Sequence, residues 1–143
     1  MPKISTFMYC EETLKNGDDN QILLRNPLTV FRPAFVPGMF SFSIVFGISG
    51  IKISEKEYKL QLRFINSAEP NNPIINTGII PLTYDPNVQP PDSELPSEHQ
   101  GIMINMDFRN AILKNEGDYY TEVILNDEVL GTFTVYVKGA EVV

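Results

Sequence analysis

The chain offers few side chains suited to catalysis, and its single histidine is the first to consider. His99 stands in the polar stretch Ser97–Gln100. A general base needs a nucleophile or substrate within hydrogen-bond reach and surroundings that tune its pKa. A histidine in a polar, acidic loop indicates neither, so the sequence favours a solvated His99.

Cys10 is the only cysteine, so the chain cannot form an intrachain disulfide. A reactive thiolate needs a basic or cationic neighbour, whereas Cys10 is followed by Glu11 and Glu12. Two adjacent carboxylates raise the pKa of a thiol. We therefore expect a small, inert, buried side chain at the end of a first strand, Ile4–Cys10.

Neither a metal nor a cofactor is expected. One histidine and one cysteine far apart do not make a zinc site. Calcium needs only oxygen ligands, and the segment 16–20 (NGDDN) alternates Asn16, Asp18 and Asn20 around Asp19. The segment lacks the longer ligand series of an EF-hand and is favoured as a turn. The weaker calcium candidate is the acidic set Asp85, Asp92 and Glu94.

The common catalytic motifs are absent. The stretch 47–50 (GISG) lacks the spacing of a nucleophile elbow, and no glycine-rich phosphate loop occurs. Glycoside chemistry needs two carboxylates facing each other across a cleft, and no motif nominates such a pair. The sequence therefore predicts that the chain is not an enzyme.

The elements that would carry any site are strands, because apolar residues recur with period two. Phe40–Ile48 alternates bulky with small residues, and its small face predicts close approach of a second sheet or a partner subunit. Tyr58–Phe64 alternates apolar with charged residues and is expected to pair antiparallel with it. The other predicted strands are Ile4–Cys10, Gln21–Leu24, Leu28–Phe31, Ile74–Leu82, Ile102–Phe108, Tyr119–Leu125 and Leu130–Val137, with a short connector over Asn110–Asn115.

About seven or eight strands at this spacing favour an all-β fold: a single antiparallel β-sandwich with Greek-key or immunoglobulin-like connections. One domain is expected over residues 1–143. A closed barrel is the main alternative.

Two irregular segments are the expected places for a binding surface. Phe31–Phe40 (FRPAFVPGMF) sets two prolines among aromatics, and Thr83–Gln100 is a long, proline-rich, acidic loop. Loops of this length in a compact domain are usually functional, although the loop could equally be a crossing between the sheets. The predicted interaction surface comprises Phe35, Tyr84, Asp85, Asp92, Glu94 and Glu98.

The net charge of the chain limits the classes of partner that we expect. The formal net charge is −7 and the isoelectric point is about 4.6. An acidic surface repels nucleic-acid phosphates and anionic lipid headgroups, so neither nucleic acid nor membrane is expected as a partner. No apolar run reaches membrane-spanning length, and Met1–Thr6 does not lead into the apolar stretch of a signal peptide. A cytoplasmic location is the expectation.

Three stretches carry a resemblance to known proteins: 31–38 (FRPAFVPG), 47–50 (GISG) and the hairpin over 116–135. Together they resemble a group of small uncharacterised bacterial and phage proteins with an immunoglobulin-like sandwich, over roughly residues 30 to 137. The resemblance implies the fold and no catalytic residues.

The leading functional hypothesis is a non-catalytic protein-interaction or assembly module, in one version an acidic regulator or inhibitor that docks on a basic protein surface. Open sheet edges also make a homodimer an expectation. The alternative is a small-ligand module that binds calcium or carbohydrate at the loop ends. The chain has no tryptophan to serve as a sugar platform.

Overall fold

Alternating apolar residues build two sheets that pack face to face. The computed structural model describes residues 1–16, 21–52, 56–83 and 95–140, and within these ranges the strands number ten. They are β1 (Lys3–Asn16), β2 (Gln21–Leu28), β3 (Val30–Phe31), β4 (Gly38–Ser49), β5 (Tyr58–Asn66), β6 (Ile75–Asn76), β7 (Ile80–Leu82), β8 (Gly101–Leu113), β9 (Gly117–Leu125) and β10 (Glu128–Val137).

Sheet A has the strand order β2-β1-β4-β8, and sheet B has the order β3-β10-β9-β5-β6, with β7 also on β5. The β3–β10 pair is parallel, and the other pairs of described strands are antiparallel. The expected all-β sandwich is confirmed. The expected strand Ile74–Leu82 is divided into β6 and β7, which accounts for part of the larger strand count. A single domain over the full chain stays a prediction.

The core lies between the sheets, and β4 supplies its centre. Phe42, Ile44, Phe46 and Ile48 are each at most 1% exposed. Side chains of this size contribute about 1.5–3 kcal/mol each on burial. The Phe42 ring lies 5.0 Å from that of Phe64 on β5, so aromatic contacts join the two sheets directly.

The expected pairing of β4 with β5 is wrong. β4 belongs to sheet A, where it pairs with β1 and β8, and β5 belongs to sheet B, where it pairs with β9, β6 and β7. The connection between them therefore crosses the sandwich. The reason is that both strands carry a fully apolar row, and the two rows bury each other across the core instead of lying side by side.

A hydrogen-bonded tyrosine also joins the sheets. The Tyr9 hydroxyl on β1 donates to the carbonyl oxygen of Phe133 on β10 at 2.6 Å. It lies 2.7 Å from the hydroxyl of Thr121 on β9, from which it accepts. Burial raises the pKa of Tyr9 far above its usual value, with Thr121 opposing the shift.

The first strand is longer than expected, and Cys10 lies in its middle instead of at its end. Beyond Cys10, Thr13 reaches across β4 to β8, where its hydroxyl donates to Asp107 at 3.0 Å and accepts from the Asn105 amide at 3.1 Å. Ser43, on the small face of β4, also donates to Asp107. In these contacts the approach to this face is made by Thr13 of β1, a strand of the same sheet, whereas a second sheet or a partner subunit was expected.

The segment Asn110–Asn115 was expected to be a connector, and this is wrong because β8 continues to Leu113. Asn110 takes a positive φ of 56°. Its backbone N–H donates to the Ser41 hydroxyl at 3.0 Å. The extra residue forms a bulge in β8 between the pairs Phe40–Ala111 and Phe42–Phe108, which lets the strand bend without ending.

Both irregular segments cross between the sheets. Residues 32–37 lead from β3 in sheet B to β4 in sheet A, and residues 83–100 lead from β7 in sheet B to β8 in sheet A. The described part of the second crossing includes a single 3-10 turn, Ser97–His99. The final hairpin is confirmed: Asn126 and Asp127 adopt positive φ of 49° and 66°, as a two-residue hairpin turn requires.

Candidate functional site

The residues of the predicted interaction surface do not lie in one place. Phe35 precedes Gly38, which pairs with Leu113, whereas Glu98 precedes Gly101, which pairs with Ser49. These pairs mark opposite ends of β4 and β8, so Phe35 and Glu98 lie roughly 35–40 Å apart at about 3.3 Å per residue. No single contact patch includes both. Tyr84, Asp85, Asp92 and Glu94 lie outside the described residues.

A cleft of about 500 Å³ opens at the Phe35 end of the sandwich. The β1–β2 hairpin forms one wall, and the crossing that leads into β4 forms the other. The volume is within the range of small-molecule and side-chain pockets. Residues that matter for its chemistry are Glu11, Leu28, Arg32, Met39, Phe40 and Ser41.

The charged side chains at the cleft differ in whether they have ion-pair partners. Glu11 accepts from the Arg25 guanidinium at 2.9 Å and from the Asn26 amide at 3.1 Å, so both its oxygens are used. Arg25 also contacts Glu12 at 3.0 Å. In the part of the chain that the structure describes, Arg32 has no ion-pair partner. The charge left for a ligand of this cleft is therefore positive.

Two large apolar side chains project into solvent beside the cleft. Phe35 is 68% exposed and Met39 is 66% exposed. The turn between them depends on Gly38, because a Cβ there would collide with the carbonyl oxygen of Phe35. Phe35 was predicted from the sequence, but Met39 was not. The signal was present, since alternation with the inward Phe40 places Met39 on the outer face.

We expected His99 to be solvated, and its side chain is 63% exposed. Its Nε2 lies 3.8 Å from Glu98, whose side chain is 76% exposed. Among the described residues, no three acidic, histidine or cysteine side chains are grouped to hold a metal ion. In the NGDDN segment, residues 17–20 fall outside the described part of the chain, as do Asp85, Asp92 and Glu94.

Cys10 is fully buried, as expected. The cause that raises the pKa of its thiol differs from the one predicted. Burial is the main cause that raises the pKa of the Cys10 thiol. A hydrogen bond to the Glu12 carbonyl opposes the shift, and the charge of Asp107 adds to it. Asp107 on β8, and not the adjacent Glu11, is the carboxylate that matters, because neighbouring strand residues point to opposite faces.

Comparisons with known proteins give no family. No protein-family model matches the chain, and no curated protein matches it. Among solved structures, the chain is similar to the Pseudomonas fluorescens alkylpurine DNA glycosylase AlkC, bound to DNA containing an abasic site analog. The TM-score is 0.45 at 11% sequence identity, over 96% of this chain and 30% of that one. The chain thus spans less than a third of the matched protein.

This match corrects the prediction that the chain is not an enzyme. The matched protein is named as a glycosylase, and the exclusion of an enzyme is withdrawn. At this TM-score the likeness carries no argument about activity, and it assigns no reaction to the chain.

Among the described residues, no helix combines the length and the apolar character needed to cross a bilayer.

Proposed function

We propose that the chain is a protein-interaction module that docks on its partner through the Phe35 end of the sandwich. The observation that carries the proposal is the pair of exposed side chains, Phe35 at 68% and Met39 at 66%, beside an open cleft. Single exposed apolar residues are common on protein surfaces, but large ones grouped at a concave site are typical of interfaces.

The chemistry of the site suggests the partner's contact. An apolar side chain of the partner enters the cleft between Leu28 and Phe40, while Phe35 and Met39 cover it from outside. Aromatic and methionine side chains are enriched at the buried centres of interfaces. Burying these apolar side chains away from water stabilises the complex. Removing them should therefore raise the dissociation rate.

The net charge of −7 acts at longer range. We propose that the partner is basic, and that the acidic residues Asp92, Glu94 and Glu98 accelerate encounter instead of forming the central contact. Electrostatic steering raises association rates and weakens as salt screens the charges. We also propose that the sandwich is immunoglobulin-like and that the chain acts as an acidic regulator of this partner.

The experiment begins with affinity capture from a lysate at low and high salt, followed by kinetics on the partner identified. Replacing both Phe35 and Met39 by serine should raise the dissociation rate at least tenfold and leave the salt dependence of association intact. The control is Ile79→Ser, because Ile79 is 60% exposed but lies between β6 and β7. A dissociation rate unchanged in the double variant would refute docking at this end.

The acidic residues are tested separately. Changing Asp92 to Asn, and Glu94 and Glu98 to Gln, should slow association and flatten its dependence on salt. Association with unaltered salt dependence would refute the steering role while leaving the Phe35 contact in place.

The second candidate is a small ligand in the same cleft, which Arg32 favours because it has no ion-pair partner among the described residues. Such a ligand has an apolar body and one carboxylate, and it stabilises the fold by mass action. Thermal shift with a panel of aromatic and aliphatic carboxylates tests this, with Arg32→Gln as the matched variant. Stabilisation that is lost in Arg32→Gln would favour the ligand over the protein partner.

A further inference from the structure

On one lateral side of the sandwich, an apolar row of sheet A is only partly buried. β8 is the outer strand of sheet A, and its core-facing residues Ile102, Ile104, Met106 and Phe108 are only partly buried. The sheet B strands on the same side are β6 and β7, which have two and three residues. The apolar row of β8 therefore lies partly open to solvent.

One side of the β8 backbone pairs with no strand in the described part of the chain. Gly50 N–H donates to the Gln100 carbonyl at 2.7 Å, so the polar groups of residue 100 point towards β4. Backbone groups alternate along an antiparallel strand. Met103, Asn105 and Asp107 consequently direct their N–H and C=O groups away from β4, and no strand among the described residues pairs with them. Such an edge is a template for strand addition.

The regular part of this edge is symmetric. It begins at Gly101 and ends before the bulge at Asn110, which makes Asn105 its midpoint. An antiparallel copy related by a two-fold axis at Asn105 places Ile102 opposite Phe108 and Ile104 opposite Met106. Directly opposed residues share a face, so the apolar row of each copy continues into the apolar row of the other.

We propose that a second copy of this chain pairs with the β8 edge in this register, forming one continuous eight-stranded sheet from two copies of sheet A. The Asn105 N–H of each copy donates to the Asn105 carbonyl of the other. The row Ile102, Ile104, Met106 and Phe108 loses much of its remaining exposure. The pairing uses neither the cleft nor Phe35, so it goes beyond the proposed docking function.

The register has a specific electrostatic consequence on the outer face. It sets Met103, which is 47% exposed, opposite Asp107 of the second copy. Met103→Lys creates two attractive cross-strand pairs per dimer, and Met103→Glu creates two repulsive ones. At the energies typical of such pairs, the dimer dissociation constant should fall roughly 2- to 30-fold for lysine and rise by a similar factor for glutamate.

The matched controls are Val129→Lys and Val129→Glu. Val129 is 48% exposed and lies on β10 in sheet B, so these variants repeat the change in net charge away from β8. Sedimentation equilibrium over a range of protein concentrations, at low and high salt, measures the dimer constant of all five proteins. Circular dichroism and thermal melting verify that each variant is folded.

We expect a dimer that tightens with added salt, because screening reduces repulsion between two chains of charge −7. Docking on a basic partner has the opposite salt dependence, so the two proposals fail separately. The Phe35→Ser/Met39→Ser variant should dimerise as the wild type does. A wild type that stays monomeric at millimolar concentration would overturn the proposal. Equal effects of the charges at Met103 and Val129 would overturn the register.

Discussion

Replacing Tyr9 by phenylalanine tests how the two sheets are held together. The change keeps the ring, whose centroid lies 5.3 Å from that of Phe31, and removes only the hydroxyl. It leaves the Thr121 hydroxyl and the Phe133 carbonyl without the partner that they have at 2.7 Å and 2.6 Å. Tyr9 is 5% exposed and Thr121 is 2% exposed, so water cannot readily replace the lost group.

The expected cost follows from these orphaned groups. An unsatisfied buried polar group costs about 1–3 kcal/mol, and we expect Tyr9→Phe to lower the free energy of unfolding by about 2 kcal/mol. At about 4 °C per kcal/mol for a chain of this size, the melting temperature should fall by roughly 8 °C. Urea denaturation followed by circular dichroism measures the free energy directly.

A double-mutant cycle separates the hydrogen bond from the packing. Thr121→Val should cost about 1 kcal/mol, since Tyr9 keeps its bond to the Phe133 carbonyl. The double variant should lose less free energy of unfolding than the two single variants lose in sum, because it has no Thr121 hydroxyl left without a partner. Additive single costs, or a loss below about 0.5 kcal/mol for Tyr9→Phe, would refute the reasoning.

Three further outcomes follow from described contacts. The pKa of Tyr9 is raised in the folded protein above its usual value of 10.0, so unfolding above pH 10 releases the Tyr9 proton. The stability of the wild type should therefore fall above pH 10 more steeply than that of Tyr9→Phe. Urea titrations from pH 9 to 11 measure this difference. Cys10 should react with a thiol reagent at pH 8 only after denaturation, and rapid labelling of the native protein would contradict its burial. Gly50→Ala should destabilise more than Gly78→Ala in thermal melts: both positions have positive φ, but only at Gly50 would a Cβ meet backbone, the Met1 carbonyl oxygen at 2.6 Å.

Period-two patterns allowed the sandwich to be predicted from the sequence. The rows of Phe42 on β4 and Leu60 on β5 alternate cleanly, and both prove to be buried. Pairing could not be derived in the same way, because an apolar row shows that a face is buried but not which strand lies beside it. The Asn126–Asp127 turn was predictable since its geometry depends on adjacent residues alone.

The β1–β2 hairpin shows why element boundaries were harder. Glu11 and Glu12 follow the predicted end of the first strand at Cys10, yet β1 continues through them. They are tolerated since β1 lies beside the edge strand β2, where Arg25 neutralises both carboxylates. Pro27 lies between the two predicted strands Gln21–Leu24 and Leu28–Phe31, yet β2 runs through it, because a proline is allowed on an edge strand whose outer side needs no hydrogen bond.

The candidate site was predicted in part. Phe35 was recognisable from the sequence because it is an aromatic residue in a segment whose prolines prevent a regular strand. The cleft itself depends on the approach of Glu11 and Leu28 to Met39, residues distant in sequence that the strand order β2-β1-β4 of sheet A brings together. That Arg25, and not Arg32, contacts Glu11 could not be read from the sequence.

The placement of the first and last strands determines how the fold resists mechanical force. β1 begins at Lys3, which pairs with Ser49 at one end of the sandwich, and β10 ends at Val137, which pairs with Gly117 at the other end. Tension between Lys3 and Val137 therefore runs along both strands. Their interstrand hydrogen bonds lie across the load and must break together, so the sandwich should yield in single-molecule pulling at one high force and not unzip pair by pair.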